Sequence, residues 1–193
     1  ALSSLKSLPN RFENIKIIQE VFAYCYFDSE QTNEAFERLT TNPKINYSRY
    51  NFFHINYLIS KGEEKKAKEV LQSSLGIYPT NLILNQLKTD LKQKQKNNDQ
   101  FNCKKIEHVI AELLYIVSNG LSAQMNYVAS NFYLNLAKYL NPKFLSFETL
   151  HAENFEVMEK YPEAIKIYTK IKRNGSNYNW YSSKKIASIL KKQ

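Results

Sequence analysis

Three histidines, two cysteines and a run of lysines are the residues of this chain that could carry chemistry, and their spacing argues against most of it. His54, His108 and His151 stand far apart. His108 and Glu112 share a helix face at i, i+4, and His151 and Glu153 are close in sequence. Neither pair supplies the three-ligand set that a catalytic metal needs. A satisfied core histidine or an exposed one is the expectation for all three. The chain has no P-loop, no GxGxxG and no GxSxG, and its 4 glycines cannot build a phosphate cradle. The reading is a non-enzyme, with no catalytic residue, no cofactor and no metal site.

The basic residues are more suggestive. All 18 acidic residues lie at or before Glu163. After it come Lys166, Lys170, Lys172, Arg173, Lys184, Lys185, Lys191 and Lys192, which account for nearly all of the formal charge of +9. Lys166, Lys170 and Arg173 fall at i, i+4 and i+7, one stripe of one helix. Such a stripe could meet phosphate, anionic lipid or an acidic partner. The plainer reading is a solvated lysine-rich end in a sequence whose Lys, Asn, Ile, Tyr and Phe content fits an AT-rich genome. Nucleic acid is the weaker functional reading, because arginine, the usual bidentate base reader, occurs only at 11, 38, 49 and 173.

Cys25 and Cys103 have no CxxC spacing, so two buried free thiols are expected, with a structural disulfide as the alternative. The redox compartment stays open. Residues 1–10 lack the regions of a secretion signal, so either a signal has been removed or the chain is a fragment of a longer protein, and an array without polar end caps favours the fragment. No apolar run approaches the roughly 18 residues of a membrane span. The expectation is a soluble protein of the bacterial cytoplasm or periplasm.

The elements that position these residues are helices. Only 4 glycines and 5 prolines in 193 residues favour long helices and short turns. Residue types return every 34 positions: Ser130-x3-Leu134-x2-Ala137 is answered by Ala164-x3-Tyr168-x2-Ile171, Ser118 by Ala152, and Leu121 by Phe155 and Ile189. A period of this length marks a helical solenoid. The predicted helices are 14–27, 30–41, 48–60, 63–77, 82–96, 106–124, 126–140, 143–158, 161–173 and 177–191. The units are irregular repeats 12–47 and 48–81, a helix with a polar break 82–104, regular repeats 105–144 and 145–178, and a final unpaired helix 178–191. Asn119-Gly120 could mark the turn of the fourth unit. A turn after Gln124 keeps Ser118, Ser130, Leu134 and Ala137 in register and is preferred. In the first unit Ala23 takes the close-packed position of helix A.

Gly62-x4-Ala67-x3-Leu71-x7-Pro79 and the stretch EKYPEAIKIYTKI (159–171) resemble the tetratricopeptide repeat. The segment 112–190 is similar, more narrowly, to tetratricopeptide proteins of alphaproteobacteria. It carries Glu112-Leu113-Leu114-Tyr115, the junction from Ala137 to Phe144 that includes Tyr139-Leu140-Asn141-Pro142, and Ala164-Ile165-Lys166-Ile167-Tyr168. The resemblance covers 48–80 and 105–190 well and 12–47 poorly. It departs in the second unit, which lacks the family's Trp and has Ile55 in place of the small residue of helix A, and at two glycine positions, held by Met125 and Glu159, which puts the turn geometry there in question. It implies an all-α, right-handed superhelix of antiparallel helix pairs that binds a peptide or protein in a concave groove lined by A helices. The groove so implied carries Arg49, Phe52, Asn56 and Ile59; Glu112, Tyr115, Asn119 and Ser122; and Ser146, Thr149, Glu153 and Glu156. The expected function is a non-catalytic scaffold or adaptor for an unidentified protein or peptide. The alternatives are a binder of anionic surfaces through the basic end, and self-association through Trp180, Ile186, Ile189 and Leu190 of the last helix.

Overall fold

The computed structural model describes residues 13–41, 47–93 and 100–192. Residues 1–12, which include the stretch read for a secretion signal, and 94–99 of the polar break lie outside the described residues. Ten helices and no strand occur among the described residues. They are α1 (Glu13–Tyr26), α2 (Thr32–Thr41), α3 (Ser48–Ser60), α4 (Glu64–Ile77), α5 (Leu82–Lys92), α6 (Ile106–Ala123), α7 (Tyr127–Leu140), α8 (Leu145–Val157), α9 (Tyr161–Ile171) and α10 (Ser176–Lys192). The fold class is therefore all-α. No helix among the described residues is long and apolar enough to cross a membrane. Asn119-Gly120 lies inside α6, and the chain turns after Ala123.

Four of the turns share one construction. Asp28, Gly62, Met125 and Glu159 adopt φ of 56, 77, 61 and 58 degrees. In each, the next backbone N–H reaches back to a carbonyl five residues earlier. Ser29 bonds to Tyr24, Glu63 to Leu58, Asn126 to Leu121 and Lys160 to Phe155, every one at 2.9 Å. This is the closure that satisfies orphan carbonyls at a helix end. Glycine takes the left-handed conformation without strain; the other three side chains cost about 1–2 kcal/mol each. Met125 and Glu159 thus take the same left-handed geometry as Gly62.

Five residues beyond three of these turns sits a small, fully buried residue: Ala67, Ser130 and Ala164. Beyond Asp28 the corresponding Ala35 comes two residues later, so the first hairpin has a longer turn. That insertion is why its match to the repeat is weak. The close-packed position of α1 itself is unchanged: Val21, seven residues before Asp28 as Ser118 is before Met125, is buried there, while Ala23, twelve residues before Ala35, is only half-buried.

The described residues divide into two compact units, one within 13–84 together with 102–106 and one within 85–101 together with 107–192. In the first, α3 is the central helix. Tyr50 to Ile55 are six consecutive buried residues, so the helix is covered on all sides. Phe22 of α1 meets Phe53 with ring centroids 6.0 Å apart, and Phe36 of α2 lies parallel to His54 at 5.3 Å. In the second unit, Leu134, Ala137, Phe144, Phe147, Tyr168, Ile171, Tyr178 and Ile189 form the core. The start of α10 is held by α5. The Asn177 backbone N–H donates to Gln86 Oε1 at 3.0 Å, and its side-chain amide donates to Thr89 Oγ1 at 2.9 Å. Gly175, at φ 129 degrees, lies so close that a Cβ there would collide with the Gln86 side chain. From the polar break, Gln100 is buried and its carbonyl accepts from Asn141 Nδ2 at 2.7 Å.

The cysteines overturn the free-thiol expectation. Cys25 and Cys103 are disulfide-bonded, with Cα atoms 5.8 Å apart, inside the ordinary range for the bond. Spacing hid the pairing, because 78 residues separate the two positions and only the return of residues 102–106 onto the end of α1 brings them together. Lys104 reinforces that return with an ion pair to Asp28 at 3.0 Å. Closing so long a loop stabilises by about 4.5 kcal/mol through the unfolded chain's lost entropy. The denatured, unreduced protein should show no free thiol to a thiol reagent. Reduction, or Cys103→Ser, should lower the urea midpoint by an amount corresponding to about 4 kcal/mol. Two reactive thiols before reduction would contradict the pairing.

Candidate functional site

The twelve groove residues are built into the molecule to very different degrees. In the first unit, Phe52 is buried, a correction to its place on an open face. Asn56 donates to the Phe52 carbonyl at 2.8 Å, Arg49 lies 5.6 Å from the Phe53 ring, and Ile59 is half-buried. In the second unit, Glu112 is fully buried, a second correction. Several others join one repeat to the next. The Tyr115 ring meets Phe147 at 5.6 Å, and Ser122 Oγ donates to Asn154 Oδ1 at 2.7 Å. Tyr181 donates to Glu153 at 2.7 Å, and Glu156 accepts from Tyr168 at 2.9 Å and Lys185 at 3.1 Å. Thr149 donates to the Ser146 carbonyl. Of the second unit's eight positions, Asn119 alone is classed as exposed.

Behind these contacts lie two polar clusters. One is centred on Asn154, almost fully buried, whose amide donates to Ser130 Oγ and Asn131 Oδ1, each at 2.8 Å. Ser130 in turn meets Ser118 at 2.9 Å. The other is centred on Glu148, paired with Lys138 of α7 at 3.0 Å and Lys170 of α9 at 2.7 Å. Burial works to raise the Glu148 carboxyl, but the Lys170 and Lys138 ammonium groups outweigh it and hold the group below its ordinary range. Glu156 behaves likewise: burial raises it and the hydrogen bonds from Lys185 and Tyr168 prevail. Burial, then the neighbouring carboxylates, pushes the hydroxyls of Tyr168 and Tyr181 well up. Carboxylates saturated in this way clamp α7, α8, α9 and α10 together. No group of three or more potential metal ligands occurs among the described residues.

The basic end is less free than the sequence suggests. Lys170 pairs with Glu148, Lys185 with Glu156, and Lys192 lies 3.7 Å from Glu156. Lys184 sits 5.2 Å from the Trp180 ring. Lys166, Lys172, Arg173 and Lys191 are exposed and have no carboxylate partner among the described residues. Of the four apolar residues assigned to a self-association face on α10, Ile189 is buried and Ile186 half-buried, a correction to that face. Trp180 and Leu190 are exposed.

The surface that sequence reading missed is the outside of α7. Its inner face buries Ser130, Leu134 and Ala137. On the opposite side Val128, Phe132, Leu136 and Tyr139 follow at steps of four, four and three residues. Val128 is 72% exposed, Phe132 60% and Tyr139 85%. Met125, at the turn before α7, adds another exposed apolar side chain. The only charge on α7 is Lys138, which is drawn to Glu148. The signal was present in the sequence as a helix apolar on both faces, which a lone surface helix should not be.

No protein-family model, no curated protein and no solved structure matches the chain.

His54 and His151, which stand at matching places in two A helices, give the molecule a pH dependence. Burial lowers both to about 4, and at His151 the Lys138 ammonium, 3.2 Å from Nδ1, lowers it further. In the unfolded chain a histidine takes up its proton near 6.5. Between these values the unfolded state binds more protons, so stability is full above pH 6.5 and falls as pH drops towards 4. From pH 7 to 5 the loss should be about 2 kcal/mol per histidine. Urea unfolding at pH 7 and pH 5 checks this. His151→Gln, which still offers Lys138 an acceptor, should remove about half of the difference; an unchanged difference would contradict the account.

Proposed function

We propose that the chain is a non-catalytic protein-interaction module, a right-handed array of tetratricopeptide-like helix pairs, that docks a helical segment of a partner protein on the outer face of α7. One observation carries this reading: the exposed apolar stripe of Val128, Phe132, Leu136 and Tyr139, on a helix whose one charge, Lys138, is paired with Glu148. A stripe of this kind on a folded chain marks an interaction site. Steps of three and four residues from Val128 to Tyr139, about 18 Å of helix, match the seam of an amphipathic partner helix. The repeated hairpins support the array, with turns at 28 and 62 and again at 125 and 159, each pair 34 residues apart. The disulfide favours an oxidising compartment, so the periplasm rather than the cytoplasm. The concave groove is the weaker site, because four of its twelve candidate residues already bind the neighbouring repeat and Phe52 and Glu112 are buried. The anionic-surface reading loses weight with the pairing of Lys170, Lys185 and Lys192.

Placing a photo-crosslinking phenylalanine analogue at Phe132, with Lys166 as the control position, tests this in the producing cell. A discrete adduct from position 132, absent from 166 and abolished by Val128→Asp, is expected. An adduct of twice the chain's mass would replace the partner by a second copy. Adducts from 166 and none from 132 would overturn the assignment.

A further inference from the structure

A second surface lies on α10, and it is independent of α7. The inner side of this helix buries Tyr178, Ser182 and Ile189, and sends Tyr181 and Lys185 to Glu153 and Glu156 of α8. On the other side Trp180, Lys184, Ala187 and Lys191 follow at steps of four, three and four residues, and all four are exposed. That spacing puts them on one stripe, about 18 Å long. Leu190, 59% exposed, stands beside its end. Lys172 and Arg173, at the turn that leads into α10, are exposed as well. The pairing of Lys170, Lys185 and Lys192 leaves these cations untouched, and none of them has a carboxylate partner among the described residues. The segment itself supplies no acid, since no Asp or Glu follows Glu163.

Two features narrow what such a face meets. Three of its four cations are lysine, a point charge suited to diffuse negative charge rather than to the bidentate reading of bases. Among them stands an indole that is 68% exposed, with Lys184 Nζ 5.2 Å from its ring centroid. A bare tryptophan flanked by lysines fits the boundary layer of a bilayer, where the ring sits at headgroup level and ammonium groups meet phosphate. An acidic protein or a nucleic acid would use the cations and leave the indole and Leu190 in water. We infer that this face docks the chain on an anionic lipid bilayer. Lys172, Arg173, Lys184 and Lys191 meet the lipid phosphates, and Trp180 and Leu190 enter between the headgroups. The contact is peripheral, and salt weakens it.

Trp180 is the only tryptophan of the chain, so its fluorescence reports this face alone. The full chain is titrated at low salt with vesicles of phosphatidylglycerol and phosphatidylcholine in equal parts. A saturable blue shift of the emission is expected, absent with phosphatidylcholine alone and reversed by high salt. The exposed pair Lys184→Glu, Lys191→Glu should weaken binding by roughly 25-fold or more, because each basic residue near an anionic surface contributes roughly fivefold. The circular dichroism of that variant should match the parent's. Val128→Asp should bind the vesicles unchanged, which separates this surface from the α7 stripe. An equal shift with neutral vesicles, undiminished binding by the double variant, or sedimentation with vesicles at unchanged emission would overturn the inference. So would an emission shift with polyglutamate or single-stranded RNA and none with the anionic vesicles.

Discussion

The close approach of the two helices in each hairpin is the constraint on which the rest of this structure depends. At Ser118 and Ser130 the helices come near enough for the two hydroxyls to hydrogen-bond at 2.9 Å, and both residues are fully buried. One repeat later the same places hold Ala152 and Ala164, again fully buried. Both sides of the seam are small in these two hairpins, while in the first unit Val21 and Ile55 stand on one side of it and Ala35 and Ala67 on the other; close-packed interiors do not absorb even one added methylene without strain. The approach also dictates the turns. Two helices this near must reverse within a few residues, which places Met125 and Glu159 in the left-handed region despite their side chains.

Once the seam sets the hairpins, the polar residues complete the stacking. Asn154 ties α8 to α7 through Ser130 and Asn131, Glu148 ties α8 to α7 and α9 through two lysines, and Glu156 ties α8 to α9 and α10. Groups with the chemical look of a binding surface are thereby used inside the fold. What is left outward includes the uncharged apolar stripe on α7, the exposed Trp180 and Leu190 of α10, and the cations Lys166, Lys172, Arg173 and Lys191.

Helix positions were legible because the seam residues and the core stripes recur at a fixed spacing; Ser130, Leu134 and Ala137 and their counterparts Ala164, Tyr168 and Ile171 are buried as that spacing requires. The failures were of one sort, contacts between residues distant in sequence. Cys25 and Cys103 meet only through the path of residues 100–106. Glu112 looked outward on a helical wheel but is buried, and Lys170 and Lys185 looked unopposed because their carboxylates lie 22 and 29 residues away. The α7 stripe was hidden differently. Its inner and outer faces are both apolar, and periodicity identified the inner face, which alone follows the repeat.

The seam is tested most directly by Ala164→Leu, compared with Ala187→Leu on the exposed side of α10, in urea unfolding at neutral pH. Ala164→Leu should lose about 1–3 kcal/mol from overpacking, while Ala187→Leu should stay within about 0.5 kcal/mol of the parent. Equal stability of the two variants would contradict the claim that close helix approach governs this fold.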